Sequence, residues 1–172
     1  MTEGPLLQIR GLDVDFTSGD GVTHAVKGAS FDIERGKTMA LVGESGSGKS
    51  VTALSILQLL PYPVASHPNG SILFEGEEML GALARRLREV RGNRISMIFQ
   101  EPITSLNPLH SIGRQVAEAI MLHRNIPKAQ AWRRAEELFE LVALGETAKR
   151  LKAYPHEFSG GQRQRVSIAR TL

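Results

Sequence analysis

The first third of the chain contains short apolar runs that are separated by turn-forming residues. The runs are Leu6–Arg10, Leu12–Phe16 and Ala29–Ile33, and glycine-containing segments lie between them. Apolar runs of this length between Gly, Asp and Ser residues are typical of strands joined by turns. This part of the chain is therefore predicted to form an antiparallel β layer.

A continuous apolar run, Thr38–Val42, then leads into a glycine-rich loop and the helical pattern of Lys49–Leu60. An uninterrupted apolar run of this length predicts a strand that is buried on both faces. Ser71–Phe74 and Arg94–Phe99 are further strand candidates. The pattern indicates a strand, a loop and a helix in direct succession.

Helical spacing dominates the remainder of the chain. Ile112–Leu122 and Lys128–Leu144 are predicted as amphipathic helices, with a common stripe in the second at Ala131, Ala135, Leu138 and Val142. An earlier helical face is predicted from the spacing of Leu80, Leu83, Leu87 and Val90. The opposite face would carry Arg85, Arg86 and Arg88, which we interpret as a solvated surface and not as an anion-binding strip.

Composition narrows the function classes without choosing among them. The 172 residues are 41% hydrophobic and 23% charged, and 21 Lys and Arg against 18 Asp and Glu give a net charge of only +3. This small excess does not indicate nucleic-acid binding. Cysteine is absent, which excludes disulfides and thiolate metal sites.

No targeting signal or membrane span is predicted. The first residues lack a basic region followed by a long apolar run. The most apolar stretch, Ala53–Leu60, is far shorter than the roughly 20 residues that a spanning helix needs. We expect the protein to remain in the cytoplasm and to reach a membrane only through partners.

The segment Gly43–Ser50, with sequence Gly-Glu-Ser-Gly-Ser-Gly-Lys-Ser, fits the P-loop pattern between its predicted strand and helix. Glycines let the backbone turn its N–H groups towards phosphate oxygens. Lys49 would contact the β and γ phosphates, and Ser50 would coordinate Mg²⁺. The alternative is a glycine-rich turn beside a surface lysine, which the context disfavours.

A second motif, Ser159–Gln162 with sequence Ser-Gly-Gly-Gln, follows Phe158. Ser159 is a good N-cap, so the motif is compatible with an ordinary helix start. It is also compatible with a second phosphate-binding helix N-terminus. The motif alone leaves both interpretations open.

Together the two motifs resemble the ABC ATPases, in which Leu-Ser-Gly-Gly-Gln follows the P-loop at about this distance. Phe158 stands where Leu is usual, as is common in the peptide-importer branch. The run Gln100–Pro108 is similar to a stretch of dipeptide, oligopeptide and nickel importer ATPases. Similarity to microcin-C-type importers is carried by Leu60–Pro63, Arg91–Asn93 and Leu109–His110. Ile103 and Thr171 depart from the pattern, where Met and Ala are usual.

The resemblance implies an α/β fold of the ABC ATPase type, with an antiparallel β subdomain, a partial parallel core sheet and a helical subdomain. The chain would be one incomplete nucleotide-binding domain, residues 1–172. Within it, residues 6–76 would form the β layer and P-loop core, 77–158 the helical subdomain and 159–172 the start of the signature helix.

The resemblance also assigns ATP and Mg²⁺ as cofactors. Phe16 would stack on adenine, and Gln100 would join Ser50 in reaching Mg²⁺ and would position the attacking water, with Lys49 as the other catalytic residue. The implied nucleotide contacts are Phe16, Gly43, Glu44, Ser45, Gly46, Ser47, Gly48, Lys49, Ser50 and Val51. A partner's nucleotide would be contacted in trans by Ser159, Gly160, Gly161 and Gln162.

In function, the resemblance implies a peripheral subunit on the cytoplasmic face of the inner membrane that couples ATP hydrolysis to peptide import. Its partners would be a second ABC ATPase domain, integral permease subunits and, indirectly, an extracytoplasmic solute-binding protein, without nucleic acid. The alternative is a non-transport ABC ATPase acting on nucleic acid or ribosomes. Lys49 and Ser159 lie 110 positions apart without cysteine or heptads between them, which disfavours that alternative.

ABC ATPases also need an Asp-Glu pair after a further strand, and then a switch histidine. Here all aspartates precede the P-loop, at Asp13, Asp15, Asp20 and Asp32, and no histidine follows His156. Electrostatic stabilisation makes up most of phosphoryl-transfer catalysis. We therefore expect these 172 residues by themselves to bind ATP weakly and not to hydrolyse it.

Overall fold

The computed structural model describes residues 4–99, 106–144 and 150–172. These residues fall into two compact units, of which the first ends at Arg91 and the second runs from Gly92 to Leu172. The first unit contains β1 (Leu7–Ser18), β2 (Gly21–Ile33), α1 (Lys49–Ile56), β3 (Ala65–Ser66), β4 (Ser71–Phe74), β5 (Glu77–Glu78) and α2 (Ala84–Val90). The second contains α3 (Ile112–Arg124), α4 (Lys128–Leu141), a 3₁₀ turn (Pro155–Glu157) and α5 (Gly160–Thr171).

The first unit is built on an antiparallel sheet with strand order β2-β1-β4-β5, and β3 also pairs with β1. This confirms the predicted β layer, and Ser71–Phe74 is a strand over the predicted residues. The two predicted segments Leu6–Arg10 and Leu12–Phe16 form the single strand β1. Gly11 does not end the strand because its φ of 54° is accommodated in a register irregularity between Ile9 and Leu12.

One face of this sheet carries the core of the first unit. The alternation along β1 leaves Leu7, Ile9, Leu12 and Val14 at most 6% exposed. Across the ladders, Val26, Ile72 and Phe74 are also buried. The period-two pattern of β1 and β4 is thus the signal of a half-buried antiparallel sheet.

The second unit is a helical cluster in which α3, α4 and α5 pack together. The predicted stripe on α4 is confirmed at Ala131, Ala135 and Leu138, which are all buried. Val142 follows the end of α4 and is partly buried against the same core. Phe158 joins this core at 3% exposure, so the aromatic ring before Ser159 anchors the start of α5.

The predicted strands at Thr38–Val42 and Arg94–Phe99 are wrong as assigned, because the described backbone forms no ladder there. Leu41, Val42 and Ile98 are 46%, 88% and 46% exposed, where a two-sided strand would be buried. A parallel strand is stable only with neighbours that complete its hydrogen bonds and cover both faces. Within the described ranges the sheet is antiparallel, and the predicted partial parallel core sheet is not formed.

Four predicted helices have different bounds, and the one predicted for Ile112–Leu122 continues to Arg124. The helix predicted for Lys49–Leu60 ends at Ile56, and the one predicted for Lys128–Leu144 ends at Leu141. Leu80 and Leu83 precede α2, and Leu83 is 79% exposed. The spacing of Leu80 and Leu83 predicted a helix, but this segment forms a turn. Glu78 accepts a hydrogen bond from the Leu80 N–H, and Gly81 has a φ of 72°, which favours a turn.

Two basic side chains of α2, those of Arg85 and Arg86, take part in ion pairs, and Arg85 and Arg88 are exposed, as expected of a solvated face. Arg85 pairs with Glu89, and Arg86 pairs with both Glu77 and Glu89. Exposed pairs of this kind contribute little to stability.

The predicted division of the chain after residue 76 stays a prediction. The boundary between the two compact units of the structure lies after Arg91.

The loop before β4 packs closely on β1 at Gly70. A Cβ at Gly70 would lie 2.5 Å from the Leu12 Cα, and its φ is +107°. Gly76 has a φ of +83° but open space around its Cβ position.

We predict that Gly70→Ala lowers the free energy of unfolding by about 2–4 kcal/mol, because overpacking adds to backbone strain. Gly76→Ala should cost only about 1–2 kcal/mol. Urea denaturation measures both, and equal losses would contradict the proposed close packing.

Candidate nucleotide-binding site

The site is built on the start of α1, where Gly48 is the N-cap with φ 85° and ψ 0°. Gly48 contributes no side chain, and no side chain in the described part of the chain caps this helix. The first intrahelical bond runs from the Thr52 N–H to the Gly48 carbonyl, at 2.8 Å. The N–H groups of Lys49, Ser50 and Val51 therefore stay available to an anion, and the helix dipole favours one there.

Gly48 is required by packing as well as by backbone conformation. A Cβ at Gly48 would lie 2.5 Å from the Ala25 carbonyl oxygen and 3.0 Å from a Val26 methyl group. The β1–β2 register passes from Val14↔Val26 to Asp15↔His24, which leaves Ala25 as the extra residue of a bulge. The bulge in β2 and the glycine of the loop are thus in direct contact.

Ala25 is a site residue that the sequence analysis missed. Its position follows from the pairing register between β1 and β2, and a bulge leaves no clear mark in the apolar pattern of one strand. Gly28, whose φ is 61°, lies in a separate irregularity of β2, between the pairs Leu12↔Ala29 and Val14↔Val26. Asp13 accepts hydrogen bonds from the Asn69 amide and the Gly28 N–H, and these bonds lower the pKa of Asp13.

The Lys49 side chain lies over the loop that precedes it. Its Nζ donates to the Gly43 carbonyl at 2.8 Å, the Glu44 carbonyl at 2.6 Å and the Ser47 hydroxyl at 3.1 Å. A Cβ at Gly43 would meet the Ser47 Oγ at 2.7 Å, so the loop closes tightly around the ammonium group. The loop thereby places a positive charge beside the open N–H groups of α1.

An open cleft of about 550 Å³ adjoins this loop. One wall is the β2 segment from His24 to Phe31, and the other consists of the loop residues Gly43, Ser47 and Lys49 with Leu41, Val42 and Thr52. His24 Nδ1 lies 2.7 Å from a carboxylate oxygen of Asp15, its cross-strand partner. The cleft has the size of a small-molecule site, with mixed apolar and polar residues of β2 on one side and the Lys49 ammonium on the other.

Phe16 lies next to this cleft but does not line it. Its backbone pairs with Thr23 of β2 and Ala65 of β3, and its side chain is half-buried. Because side chains alternate along β1, the Phe16 ring shares the sheet face of Val14. Val26, the partner of Val14, is the residue beside Gly48. The structure thus places Phe16 on the face that meets α1, one ladder step beyond the Asp15–His24 pair.

The remaining predicted contacts of the first unit lie in or after the loop. Glu44, Ser45 and Gly46 are exposed, and Ser50 is an exposed residue in the first turn of α1. Val51 is partly buried in the same turn. Gln100, which was predicted to reach Mg²⁺ and the attacking water, lies outside the described residues.

The Ser159 motif lies in the second unit and forms the start of α5. The Ser159 Oγ accepts from the Gln162 N–H at 3.3 Å, and the Gln162 side chain accepts from the Ser159 N–H at 3.0 Å. This capping box confirms the predicted N-cap. Among the described residues no side chain accepts from the N–H groups of Gly160 and Gly161, and both glycines have open space at their Cβ positions.

Two arginines that the sequence analysis did not assign hold α5 in place. Arg163 Nε donates to the Pro155 carbonyl at 2.8 Å, and Arg165 Nη1 donates to the Ala143 carbonyl at 2.9 Å, beyond the end of α4. Arg150 lies over the Phe158 ring, with 5.3 Å between guanidinium carbon and ring centre. These contacts fix the direction in which Ser159 and the two glycines are presented.

The described residues fit ATP and Mg²⁺. Uncapped helix N–H groups and a loop-bound ammonium suit polyphosphate. The described ranges contain no cluster of His, Asp or Glu side chains that could hold a metal ion by itself. Mg²⁺ in nucleotide sites is bound by phosphates, water and protein oxygens, and the Ser50 hydroxyl is the type of ligand that a P-loop supplies. In these ranges no helix is long and apolar enough to cross a membrane.

Curated relatives of this chain are transport ATP-binding proteins, and solved structures that match it are ABC transporter cassettes. A peptidoglycan transport ATP-binding protein, YejF of Agrobacterium fabrum, is 61% identical over 98% of this chain and 31% of its own length. The oligopeptide transport ATP-binding protein OppD of Bacillus subtilis is 46% identical over 97% of this chain and 47% of its own length. The chain thus spans half or less of the length of these curated relatives.

Among solved structures, the dimeric bacterial ABC transporter cassette MJ0796 aligns with a TM-score of 0.83 at 26% identity. The alignment covers 96% of this chain and 68% of that one. The same cassette in a post-hydrolysis state, bound to ADP and Pi, aligns with a TM-score of 0.82. The profile of the ABC transporter family matches residues 26–172, which include both the P-loop and the Ser159 motif. The chain therefore belongs to the ABC transporter family and has the fold of its ATP-binding cassettes.

Proposed function

We propose that this chain is the ATP-binding part of a peptide importer and binds MgATP at the start of α1. The observation that carries the proposal is the uncapped helix N-terminus at Gly48 beside the Lys49 ammonium. A helix start with open N–H groups and an adjacent cation is suited to polyphosphate and to few other ligands. The cleft beside it has room for a nucleoside.

Lys49 already lies where a phosphate would be bound. Its three acceptors in the described structure are two loop carbonyls and the Ser47 hydroxyl. On nucleotide binding the ammonium would exchange these oxygens for phosphate oxygens, and charge-assisted bonds of that kind are the stronger ones. The loop thus keeps the cation in position before the ligand arrives.

Ser50 and Gln100 are proposed as the residues that contact Mg²⁺. Ser50 is exposed in the first turn of α1, beside Lys49, as the role requires. The ion would neutralise phosphate charge. Gln100 is proposed on sequence alone, as the residue that would also orient the attacking water.

Adenine is proposed to stack on Phe16. The ring lies on the sheet face that meets α1, and its strand runs beside the cleft wall formed by β2. Because Phe16 does not itself line the cleft, stacking would extend the site by one ladder step beyond His24. Aromatic stacking tolerates such a shallow surface, since only one ring face is needed.

The Ser159 motif is proposed to contact the γ-phosphate bound to a second ABC ATPase domain. The open N–H groups of Gly160 and Gly161 support this, since the capping box satisfies other donors and leaves these two. The solved dimeric cassette is consistent with such pairing. Ser159 through Gln162 would then serve a partner's nucleotide.

Transport of peptides is proposed from the relatives, which carry the names of peptidoglycan and oligopeptide transport proteins. Those names favour import over action on nucleic acid or ribosomes. The further partners would be permease subunits and, through them, an extracytoplasmic solute-binding protein. The subunit would lie on the cytoplasmic face of the inner membrane as a peripheral protein.

We predict that Lys49→Ala raises the dissociation constant for a fluorescent ATP analogue at least about tenfold, because a charge-assisted contact to phosphate is lost. Phe16→Ala should raise it by about 5- to 150-fold, corresponding to about 1–3 kcal/mol of stacking. Phe16→Trp keeps an aromatic face and should bind like wild type. Lys37→Ala removes an exposed lysine that does not line the cleft and controls for charge. Wild-type affinity in both alanine variants of the site would contradict the assignment.

We predict that Glu101–Arg124 meets a permease subunit, because the segment directly follows Gln100. Residues 101–105 of it lie outside the described structure. Leu109 is 80% exposed, whereas Leu106 is 4% exposed and belongs to the helical core. A cysteine at Leu109 should therefore crosslink to a permease subunit in the assembled transporter, and one at Leu106 should not. Crosslinks from Leu109 only to the other ATPase domain would overturn the prediction.

A further inference from the structure

Helix α1 is short and must be held at both ends. It spans eight residues, Lys49–Ile56, and is about 12 Å long. Its start is held by Gly48 against Ala25. Its end leaves carbonyl groups that have no partner within the helix. The donors that bind the carbonyls at and just beyond this end determine how firmly the whole helix, and so its proposed phosphate-binding start, is oriented.

Arg91 binds two carbonyls just beyond this end, those of the C-cap Leu57 and of Gln58. Its Nε donates to the Leu57 carbonyl at 2.7 Å, and its Nη2 donates to the Gln58 carbonyl at 2.6 Å. Both bonds reach across more than 30 residues of sequence. A guanidinium group suits this task because its donors have a fixed fork geometry, and its positive charge is favourable at a helix C-terminus.

The position of Arg91 is itself fixed by α2. The Arg91 N–H donates to the Leu87 carbonyl at 2.9 Å, and the preceding Val90 is fully buried. Arg91 is also the last residue of the first unit, since the second unit begins at Gly92. The residue that binds the end of α1 is therefore the one at which the chain passes into the second unit.

Further contacts complete the end of α1. The Gln58 backbone has a φ of 51°, and its side-chain amide donates to the Ser55 carbonyl at 2.6 Å. The Tyr62 hydroxyl donates to the Gln58 Oε1 at 3.2 Å. Burial raises the pKa of Tyr62, although Arg91 opposes this effect, so the hydroxyl remains a donor at neutral pH. Arg91 is the charged member of this network.

We propose that Arg91 is a positioning residue for phosphate binding: by binding the Leu57 and Gln58 carbonyls it fixes the end of α1 and thereby the direction of the N–H groups at its start. The proposal rests on ATP binding at Gly43–Ser50. A two-turn helix transmits a displacement of one end to the other because its backbone bonds make it rigid over that length. Arg91 itself does not contact nucleotide in this account.

The test compares Arg91→Met, Arg91→Lys and a matched control, Arg10→Met. Methionine keeps much of the apolar length and removes all donors. Lysine keeps the charge but cannot reproduce the fork. Arg10 pairs with Asp32 within the same unit, so its replacement removes a guanidinium–carboxylate pair of the β layer. Titration with a fluorescent ATP analogue and Mg²⁺ at 10 °C is combined with a thermal melt of each variant.

Arg91→Met should raise the dissociation constant about tenfold, and Arg91→Lys about threefold, while Arg10→Met leaves it within twofold of wild type whatever its melting temperature. Competition by ADP should weaken in parallel with ATP for Arg91→Met. If Arg91→Met and Arg91→Lys both bind like wild type, the proposal is wrong. Loss of affinity in Arg10→Met, in proportion to lost thermal stability, would also overturn it by showing a general effect of stability.

A failure of ATP binding at the loop gives a different pattern. Wild type and Lys49→Ala would then have the same affinity, and the proposed function itself would fail. If Arg91→Met does not fold, Arg91→Lys decides the question, since it retains the charge at the end of α1. In a folded Arg91→Lys variant, wild-type affinity contradicts positioning and a threefold loss supports it.

Discussion

The contact between the Ala25 carbonyl and Gly48 is the constraint on which the site depends. A bulge in β2 brings this carbonyl so close that any side chain at Gly48 would overlap it. The same glycine has a φ of 85° and begins α1 without a side-chain cap. One close approach therefore joins the sheet to the helix and leaves the helix N–H groups open. Substitution at Gly48 would disturb both features at once, because they share one residue.

The rest of the site follows from how α1 is held. The Lys49 ammonium donates hydrogen bonds to three oxygens of the loop. These bonds hold the positive charge beside the first-turn N–H groups of α1. The side chains of Thr52 and Ser55 bond the carbonyls of Gly48 and Val51 within the helix. In the second unit, Phe158 and Arg163 hold the start of α5 by a buried ring and a backbone carbonyl. Both motifs stand at the start of a helix, where backbone N–H groups remain open among the described residues: those of Lys49, Ser50 and Val51 at α1, and those of Gly160 and Gly161 at α5.

Sequence reasoning predicted the parts of this account that depend on local chemistry. The P-loop, the N-cap at Ser159, the strand Ser71–Phe74 and the buried stripe of α4 all follow from residue types at short spacing. Sequence reasoning failed where contacts between residues far apart in the sequence determine the structure. Thr38–Val42 has the apolar run of a central strand but finds no ladder among the described residues. The Ala25–Gly48 approach depends on strand register, and Arg91 lies 34 residues from Leu57, so neither has a local pattern.

The central claim is that phosphate is bound by the first-turn N–H groups of α1. Backbone amide resonances of the isotopically labelled protein, followed by NMR while MgATP is added, test this claim directly. The account predicts the largest shifts at Lys49, Ser50 and Val51, with smaller shifts at His24 and Ala25 along the cleft wall. Saturable shifts elsewhere, with those three resonances unmoved, would contradict it.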